Sequence, residues 1–268
     1  MKEPIKSPIK VGSMLFTMVD PNKGHEVAYN RWYERDHFYA GCMAGPWLFA
    51  GSRWVAPRPL KDLRFPGESP IAAPLSNGSY VAIYWHLAGH REDHNGWASP
   101  QVQWLYANGR GFPERTHVHT LIYDHGWDQY RDDDPVPVEL ALDHKYQGLA
   151  SVMVKRDTNV SQSEIDSWYR DKYLKAWMAG SPIASCSSWS PTVQAERGSN
   201  APMHLPQLED PERVTMQLYF LDSDPRECWD KFVTMNKDLA AAKLGQIIFA
   251  SPWLPTVVGT DTYTDQLW

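Results

Sequence analysis

Asn30, Tyr33 and His37 stand at i, i+3 and i+7 of a proline-free stretch, a spacing that lines an amide, a phenol and an imidazole along one stripe of a helix. An imidazole so placed can move a proton near neutral pH. Its plainer role is a hydrogen bond near the helix end, where the dipole favours a cation. Downstream, Arg53 interrupts a strand that is otherwise apolar and aromatic. A guanidinium there must reach water or meet an anion, because an unpaired buried charge is costly. It either holds a substrate carboxylate, oxyanion or phenolate, or forms a salt bridge with Glu26 or Asp36. His86 shares strand parity with Ala82 and Tyr84, so a Tyr-His pair projects to one side of a sheet. His117 and His119 share parity as His-x-His, and with His86 they could hold a divalent metal, although Thr120-Leu121-Ile122-Tyr123 supplies no further carboxylate. His90 and His94 continue a four-residue spacing from His86, but Gly89 and Gly96 mark that region as a loop. The candidate catalytic residues are therefore His37, Arg53, His86 and Tyr33. Asn30, Trp54, Tyr84, Trp85 and His119 are candidate substrate-binding residues, and no metal or cofactor is assigned.

These residues need elements to hold them, and the chain offers the elements twice. Asn30-Arg31-Trp32-Tyr33 matches Asp166-Ser167-Trp168-Tyr169 at an offset of about 136 residues, Met43-Ala44-Gly45 matches Met178-Ala179-Gly180, and Ser52-Arg53-Trp54 matches Ser187-Ser188-Trp189. The first copy reads as a strand from Val11 to Met18, a helix from Gly24 to about Cys42, strands Phe49–Val55 and Tyr80–Leu87, a helix from Pro100 to Asn108 that stops at Gly109, and a closing strand Thr116–Tyr123. The second reads as Ala150–Lys155, Ser163–Ala179, Ser185–Ser190, Val214–Leu221, Pro225–Leu244 and a last strand between Gln246 and Val258. Ser161 or Ser163 caps its first helix, with Glu164 in the first turn. The order is β-α-β-β-α-β. Such a sheet has one bare face, and two units can bury their bare faces against each other. The fold class expected is α+β: tandem ferredoxin-like units forming an intramolecular dimeric α/β barrel, with an enclosed space between the sheets. Residues 1–130 form the first unit and candidate active site, 131–147 a linker within the Asp- and Pro-rich stretch Asp124–Gln147, and 148–268 a structural copy. Aligning the copies sets His37 against Tyr173, Arg53 against Ser188 and His86 against Phe220, so the polar groups belong to the first.

The helix carries a family resemblance. Glu26, Asn30, Trp32, Tyr33 and His37 form an E-x-x-x-N-x-W-Y-x-x-x-H pattern that resembles the EthD-type dimeric α/β-barrel proteins, where a strand bearing Arg follows; here that Arg is Arg53. The resemblance covers about 30 residues closely and the rest by element order. It implies cofactor-free chemistry of the lyase, isomerase, cyclase or monooxygenase kind. The tandem form also resembles the haem-binding chlorite dismutase-like and dye-decolorizing peroxidase families. Their proximal His lies in the second unit, whereas here His204 is the sole histidine after His144 and no Gly-x-x-Asp-Gly is present; haem is not expected. The stretch Thr256–Trp268 also looks family-like, without a role that its residues reveal.

Composition bounds the rest. A formal charge of -6 over 268 residues argues against nucleic-acid binding, and no run of about 18 apolar residues suggests a membrane span. Met1-Lys2-Glu3-Pro4 lacks the apolar core of a signal peptide, and Cys42, Cys186 and Cys228 form neither a disulfide framework nor a zinc cluster. Location in the cytoplasm is the expectation, and a homodimer fits the resemblance. With 13 Trp and 13 Tyr, the chain can wall a pocket for a flat apolar molecule. No phosphate loop or nucleophile elbow appears. Together these readings predict a cofactor-independent enzyme, foremost a lyase acting by elimination or C–C cleavage, on a small aromatic or hydrophobic substrate held inside the first unit's half of the barrel and walled by some of Trp32, Trp54, Trp85 and Tyr84. An isomerase, cyclase, cofactor-free monooxygenase or non-catalytic binding protein would use the same parts.

Overall fold

The structure is a computed structural model and describes residues 8–192 and 202–268. The stretch Met1–Pro4, read above for a leader, lies outside those residues. The first half contains β1 (Val11–Pro21), α1 (Glu26–Trp32) continued by two π-helical turns (Tyr33–His37 and Tyr39–Met43), β2 (Leu48–Val55), α2 (Arg58–Lys61), β3 (Tyr80–Leu87), α3 (Arg91–Ala107) and β4 (Arg115–Tyr130). The second contains β5 (Gly148–Arg156), α4 (Gln162–Ser167), a π-helical turn (Trp168–Tyr173), α5 (Leu174–Met178), β6 (Ile183–Pro191), β7 (Val214–Leu221), α6 (Trp229–Ala241) and β8 (Gly245–Pro255). Ser161 is the N-cap of α4 and forms a capping box with Glu164, two backbone donors being satisfied reciprocally.

All eight strands close into one antiparallel barrel in the order β1-β3-β2-β8-β5-β7-β6-β4. Each half is a four-stranded ferredoxin-like sheet, and their bare faces bury each other as the α+β barrel requires. The seams differ. β4 pairs with β6 from Tyr123 to Tyr130, whereas β2 meets β8 only at Trp54–Pro255 and Val55–Leu254. Asp124–Tyr130 is thus strand rather than linker, because β6 offers it a ladder.

The barrel interior is solid. Met14, Phe16, Met18, Trp54, Val81, Ile83, Trp85, Tyr123, Met153, Trp189, Phe220, Phe249 and Trp253 meet there, all buried. Trp85 stacks on Trp189 with ring centroids 4.7 Å apart, and Trp85 Nε1 donates to Val138 O at 3.0 Å. Val138, Ala141, Leu142 and Tyr146 from the connecting segment, and Leu60, Ile71 and Ala72 from the β2–β3 connection, complete the filling. The expected space between the sheets is therefore occupied, in part by Trp54 and Trp85, two of the side chains expected to wall it, while Tyr84 and Trp32 lie on the other face of the sheet.

Three sequence-based placements change. Residues 91–99 extend α3 beyond the predicted start at Pro100, so His94 is helical and buried rather than in a loop; the helix tolerates Pro100 because its packed turns, anchored by His94 Nδ1 on Pro46 O at 2.8 Å, outweigh one missing hydrogen bond. His117 and His119 do not share a face. A bulge skips Val118, with Met18 opposite His119 and Val19 opposite His117, so His119 enters the barrel beside Phe16 and Tyr123 while His117 lies on the outer face. The same bulge recurs in β8, with Met153 opposite Phe249 and Val154 opposite Ile247. Finally, facing direction equates Trp85 with Phe220 and Tyr84 with Tyr219, since the first pair lies in the barrel core and the second under the helices. His86 therefore corresponds to Leu221, not Phe220.

If the stacked tryptophans carry the core, Trp189→Ala should lower stability by about 3–5 kcal/mol, against about 1 kcal/mol for Ser161→Ala at the α4 cap. Urea unfolding monitored by far-ultraviolet dichroism compares the two, and equal losses would show that the stack contributes little.

Candidate functional site

With the barrel filled, the polar groups of the first half collect on the outer face of its sheet, beneath α1 and its π-helical turns. Arg53 is nearly wholly buried there. Its guanidinium lies over the ring of Tyr33 at 4.4 Å, with Tyr80 at 5.1 Å and Tyr29 at 5.9 Å, so aromatic faces supply part of the stabilisation water would give. Nη1 donates to Asn30 Oδ1 at 3.0 Å and to Glu34 Oε1 at 3.3 Å, and Nη2 has no protein partner. The predicted salt-bridge partners are engaged elsewhere: Asp36 pairs with Arg110 and Glu26 accepts from Trp268.

Tyr33 Oη and Tyr84 Oη are 2.9 Å apart, and the Cys42 thiol adjoins Tyr84. Burial raises the pKa of both phenols and pushes the thiol up to about 11, so all three remain protonated donors at neutral pH. Gly51 makes room for this pair, since a Cβ there would fall 2.7 Å from the Tyr84 ring.

His37 stacks on Trp32 with centroids 4.5 Å apart and meets Tyr33 edge-on at 5.3 Å. Gly41 seats it, because a Cβ at that position would come within 2.7 Å of the imidazole. Burial among these rings, and then its neighbours Arg115, His117 and Arg53, hold its pKa well below the usual histidine value. The ring is therefore neutral. His117, bonded through Nδ1 to Thr120 Oγ1 at 2.7 Å, is lowered to about 3 by burial and Arg115. Arg115 itself lies over Trp32 at 4.7 Å and donates to Tyr106 Oη, leaving Nε without a protein partner. Two guanidiniums thus lie among packed aromatic rings, and Glu34 is the one carboxylate hydrogen-bonded to Arg53 among the described residues, an arrangement suited to an anion or to charge that develops during reaction.

The structure divides the predicted set. Asn30, Tyr33, His37, Arg53 and Tyr84 come together in this layer. Trp54, Trp85 and His119 lie across the sheet in the barrel. His86 is on the same face as Tyr84 but at the end of β3, where Nδ1 meets Ser13 Oγ at 3.1 Å and its ring packs on His94. The proposed metal triad of His86, His117 and His119 is consequently dispersed, and among the described residues no three His, Cys, Asp or Glu side chains cluster as a metal site. Arg115, His117 and Glu34 were missed as site members; the bulge at Val118, which re-aims His117, has no signature in sequence. Two open clefts of about 270 and 410 Å³ are lined by other residues, with Ser13 at the edge of the first.

The matching layer of the second half is filled mainly by rings and apolar side chains, with the neutral Ser188 and Gln217 among them and no buried arginine among the described residues. Trp168 stacks on Tyr173 at 4.3 Å and 18° as Trp32 stacks on His37 at 4.5 Å and 18°, which fixes their equivalence. Tyr173, Ser188, Leu221, Ile247 and Gly245 replace His37, Arg53, His86, His117 and Arg115, and Tyr169, Trp177, Tyr219, Trp229 and Phe232 fill the space.

No protein-family profile matches the chain, and no curated protein sequence is similar to it. Solved structures do resemble it. An anthrone oxidase-like protein superposes with a TM-score of 0.53 at 6% identity over 95% of this chain and 98% of its own. A candidate chlorite dismutase gives 0.52 at 11% over 97% and 100%, and a candidate monooxygenase of Fusobacterium nucleatum gives 0.49 at 7% over 92% and 93%. At such identities the shared property is the dimeric α/β-barrel fold. Among the described residues the second half's layer is packed with rings and contains no histidine, so it does not fit a haem held by a proximal histidine. No helix among the described residues is long and apolar enough to cross a membrane.

Two buried imidazoles predict an acid-labile fold. His117 and His119 have folded pKa values of about 3 and about 4, below the ordinary 6.5, so between about pH 6.5 and 4 the unfolded chain binds more protons and stability falls as pH falls. His119→Phe, the residue type of the equivalent Phe249, should remove about 1.4 kcal/mol per pH unit from that slope. Denaturant midpoints between pH 7 and 4 measure it; an unchanged slope would mean that His119 is protonated in the fold.

Proposed function

We propose that the chain is a cofactor-independent enzyme that performs acid–base chemistry on a small aromatic or otherwise hydrophobic molecule, in the layer between α1 and the outer face of the first half's sheet. The observation that carries this reading is Arg53: buried, ringed by tyrosines, with one nitrogen unpartnered, and replaced by the neutral Ser188 in the equivalent layer. In this reading residues 1–130 hold the working unit, 131–147 connect, and 148–268 supply a structural copy whose bare sheet face completes the barrel. Self-association into a homodimer is compatible with it.

A weakly acidic hydroxyl or activated C–H is presented to His37, which is neutral and free to accept a proton. Arg115 and Arg53 disfavour an imidazolium while no anion is present. An anion forming beside them reverses that effect, so base strength and anion stabilisation rise together. Arg53 and Arg115 hold the charge, and Tyr33 and Tyr84, kept protonated by burial, donate to it. Asn30 and Glu34 fix the guanidinium. Delocalisation over an aromatic substrate then leaves two outcomes: departure of a β-substituent or a C–C bond, the lyase outcome, or reaction of the carbanion with dioxygen. The second is favoured by the fold shared with an anthrone oxidase-like protein. Ligand admission requires α1 to shift, since the groups concerned are in contact.

Hydroxylated anthrones and phenols with a β-leaving group form the substrate panel that tests this. Arg53→Met should lower kcat/KM by about a hundredfold or more with the far-ultraviolet spectrum retained, and His37→Phe should act on kcat, while Tyr173→Phe in the second half stays within about twofold. Full turnover by the folded Arg53→Met protein would end the proposal.

A further inference from the structure

The stretch Thr256–Trp268, left without a role by its sequence, leaves the barrel after β8 and crosses to the first half. In the opposite seam β4 continues beside β6 to Tyr130. Here Thr256 makes a last contact with Arg53 O at 3.1 Å, and the chain turns away. It then grips α1. Gly259 N donates to Glu34 Oε2 at 2.9 Å, and Thr260 O accepts from Asn30 Nδ2 at 2.8 Å. Arg31 forms a two-pronged ion pair with Asp261, and Trp268 Nε1 donates to Glu26. Leu267 is fully buried in the same apolar cluster as Tyr29, Tyr33 and Cys42, and its carbonyl accepts from the buried Lys61 Nζ at 2.9 Å.

Asn30 and Glu34 are the two side chains that accept from Arg53, and they are also the two held by the backbone of this segment. Arg53 is thus tied, at one remove, to Gly259 and Thr260. We propose that Thr256–Trp268 is a strap that governs access to the Arg53 layer: seated, it clamps α1 on the sheet and keeps Asn30 and Glu34 on the guanidinium; released, it lets α1 lift and frees Arg53 for an incoming anion. Its significance for turnover rests on the functional reading above, but its existence does not, and the test reads access rather than activity.

The three free cysteines provide the measurement. All are buried; Cys42 lies in the layer beneath α1, and Cys186 lies on β6 in the second half's layer, whereas Cys228 is close to Arg226, which lines one cleft with Tyr263 of the strap, so Cys186 is the control. In the full-length protein, Asp261→Asn with Trp268→Ala weakens the strap at two surface contacts away from Arg53. Alkylation by iodoacetamide at pH 8, followed peptide by peptide by mass spectrometry, should accelerate roughly tenfold at Cys42 as local opening becomes easier, with Cys186 unchanged. Unchanged labelling of Cys42, or a parallel rise at Cys186, overturns the strap. Should the double variant fail to fold, Trp268→Ala alone is read in the same way. A substrate panel that yields no turnover while Cys42 labelling accelerates selectively would remove the enzymatic reading and leave the strap standing.

Discussion

Each four-stranded sheet of this chain carries helices on one face and none on the other, and the two bare faces meet inside the barrel. Burial of apolar area drives that meeting, and close packing fills it: Trp54, Trp85, Trp189 and Trp253, with Phe16, Phe220 and Phe249, leave the interior to side chains. Everything chemical is displaced as a result. Polar side chains that alternate with these rings along the strands emerge on the outer faces, under the helices, and there the two halves diverge.

The first half places Arg53, Arg115, His117 and His37 in a layer lined by tyrosines; the second fills the equivalent layer with rings and aliphatic groups. The geometry is shared to the level of the helix stack and the strand bulge, so the difference lies in side-chain chemistry on a common frame. Retaining a buried guanidinium with a single carboxylate nearby costs stability that an apolar residue would not. Asn30, Glu34 and three aromatic faces offset part of that cost, and Asn30 and Glu34 are positioned by a segment from the far end of the second half. The second half therefore contributes to the layer in two ways, by burying the bare sheet beneath it and by supplying the backbone groups that hold its polar side chains.

The π-helical turns belong to the same arrangement. They follow α1 where Tyr33 and His37 must both point at the sheet, and they recur at Trp168–Tyr173. Widened turns change the angular spacing of side chains, and Gly41 lies one turn on to admit the imidazole. Local sequence and packing agree here, which is the condition for a well-defined layer.

Much of the fold was legible from residues alone, because its signals are local. β-branched and aromatic runs marked β3 and β7 at their observed limits, Ser161 with Glu164 marked the α4 start, and the near-constant offset between Trp-Tyr pairs announced two alike units. The grouping of Asn30, Tyr33, His37 and Arg53 was likewise readable, from helical spacing and one charge in an apolar strand. What depended on facing direction was not. Alternation assigned His117 and His119 to one side, and a single skipped residue at Val118 separated them by the thickness of the sheet. Trp54 and Trp85 were suited by type to a pocket wall, yet parity sent them into a core with no room for a ligand. Glu34 and Arg115 join the Arg53 layer, and Thr256–Trp268 meets α1, only through contacts between distant positions, more than 200 residues apart for Gly259 and Thr260. Sequence determines which local conformations and pairings are favourable; which face each side chain finally meets is decided when the sheets close, because that choice depends on registers set by all eight strands together.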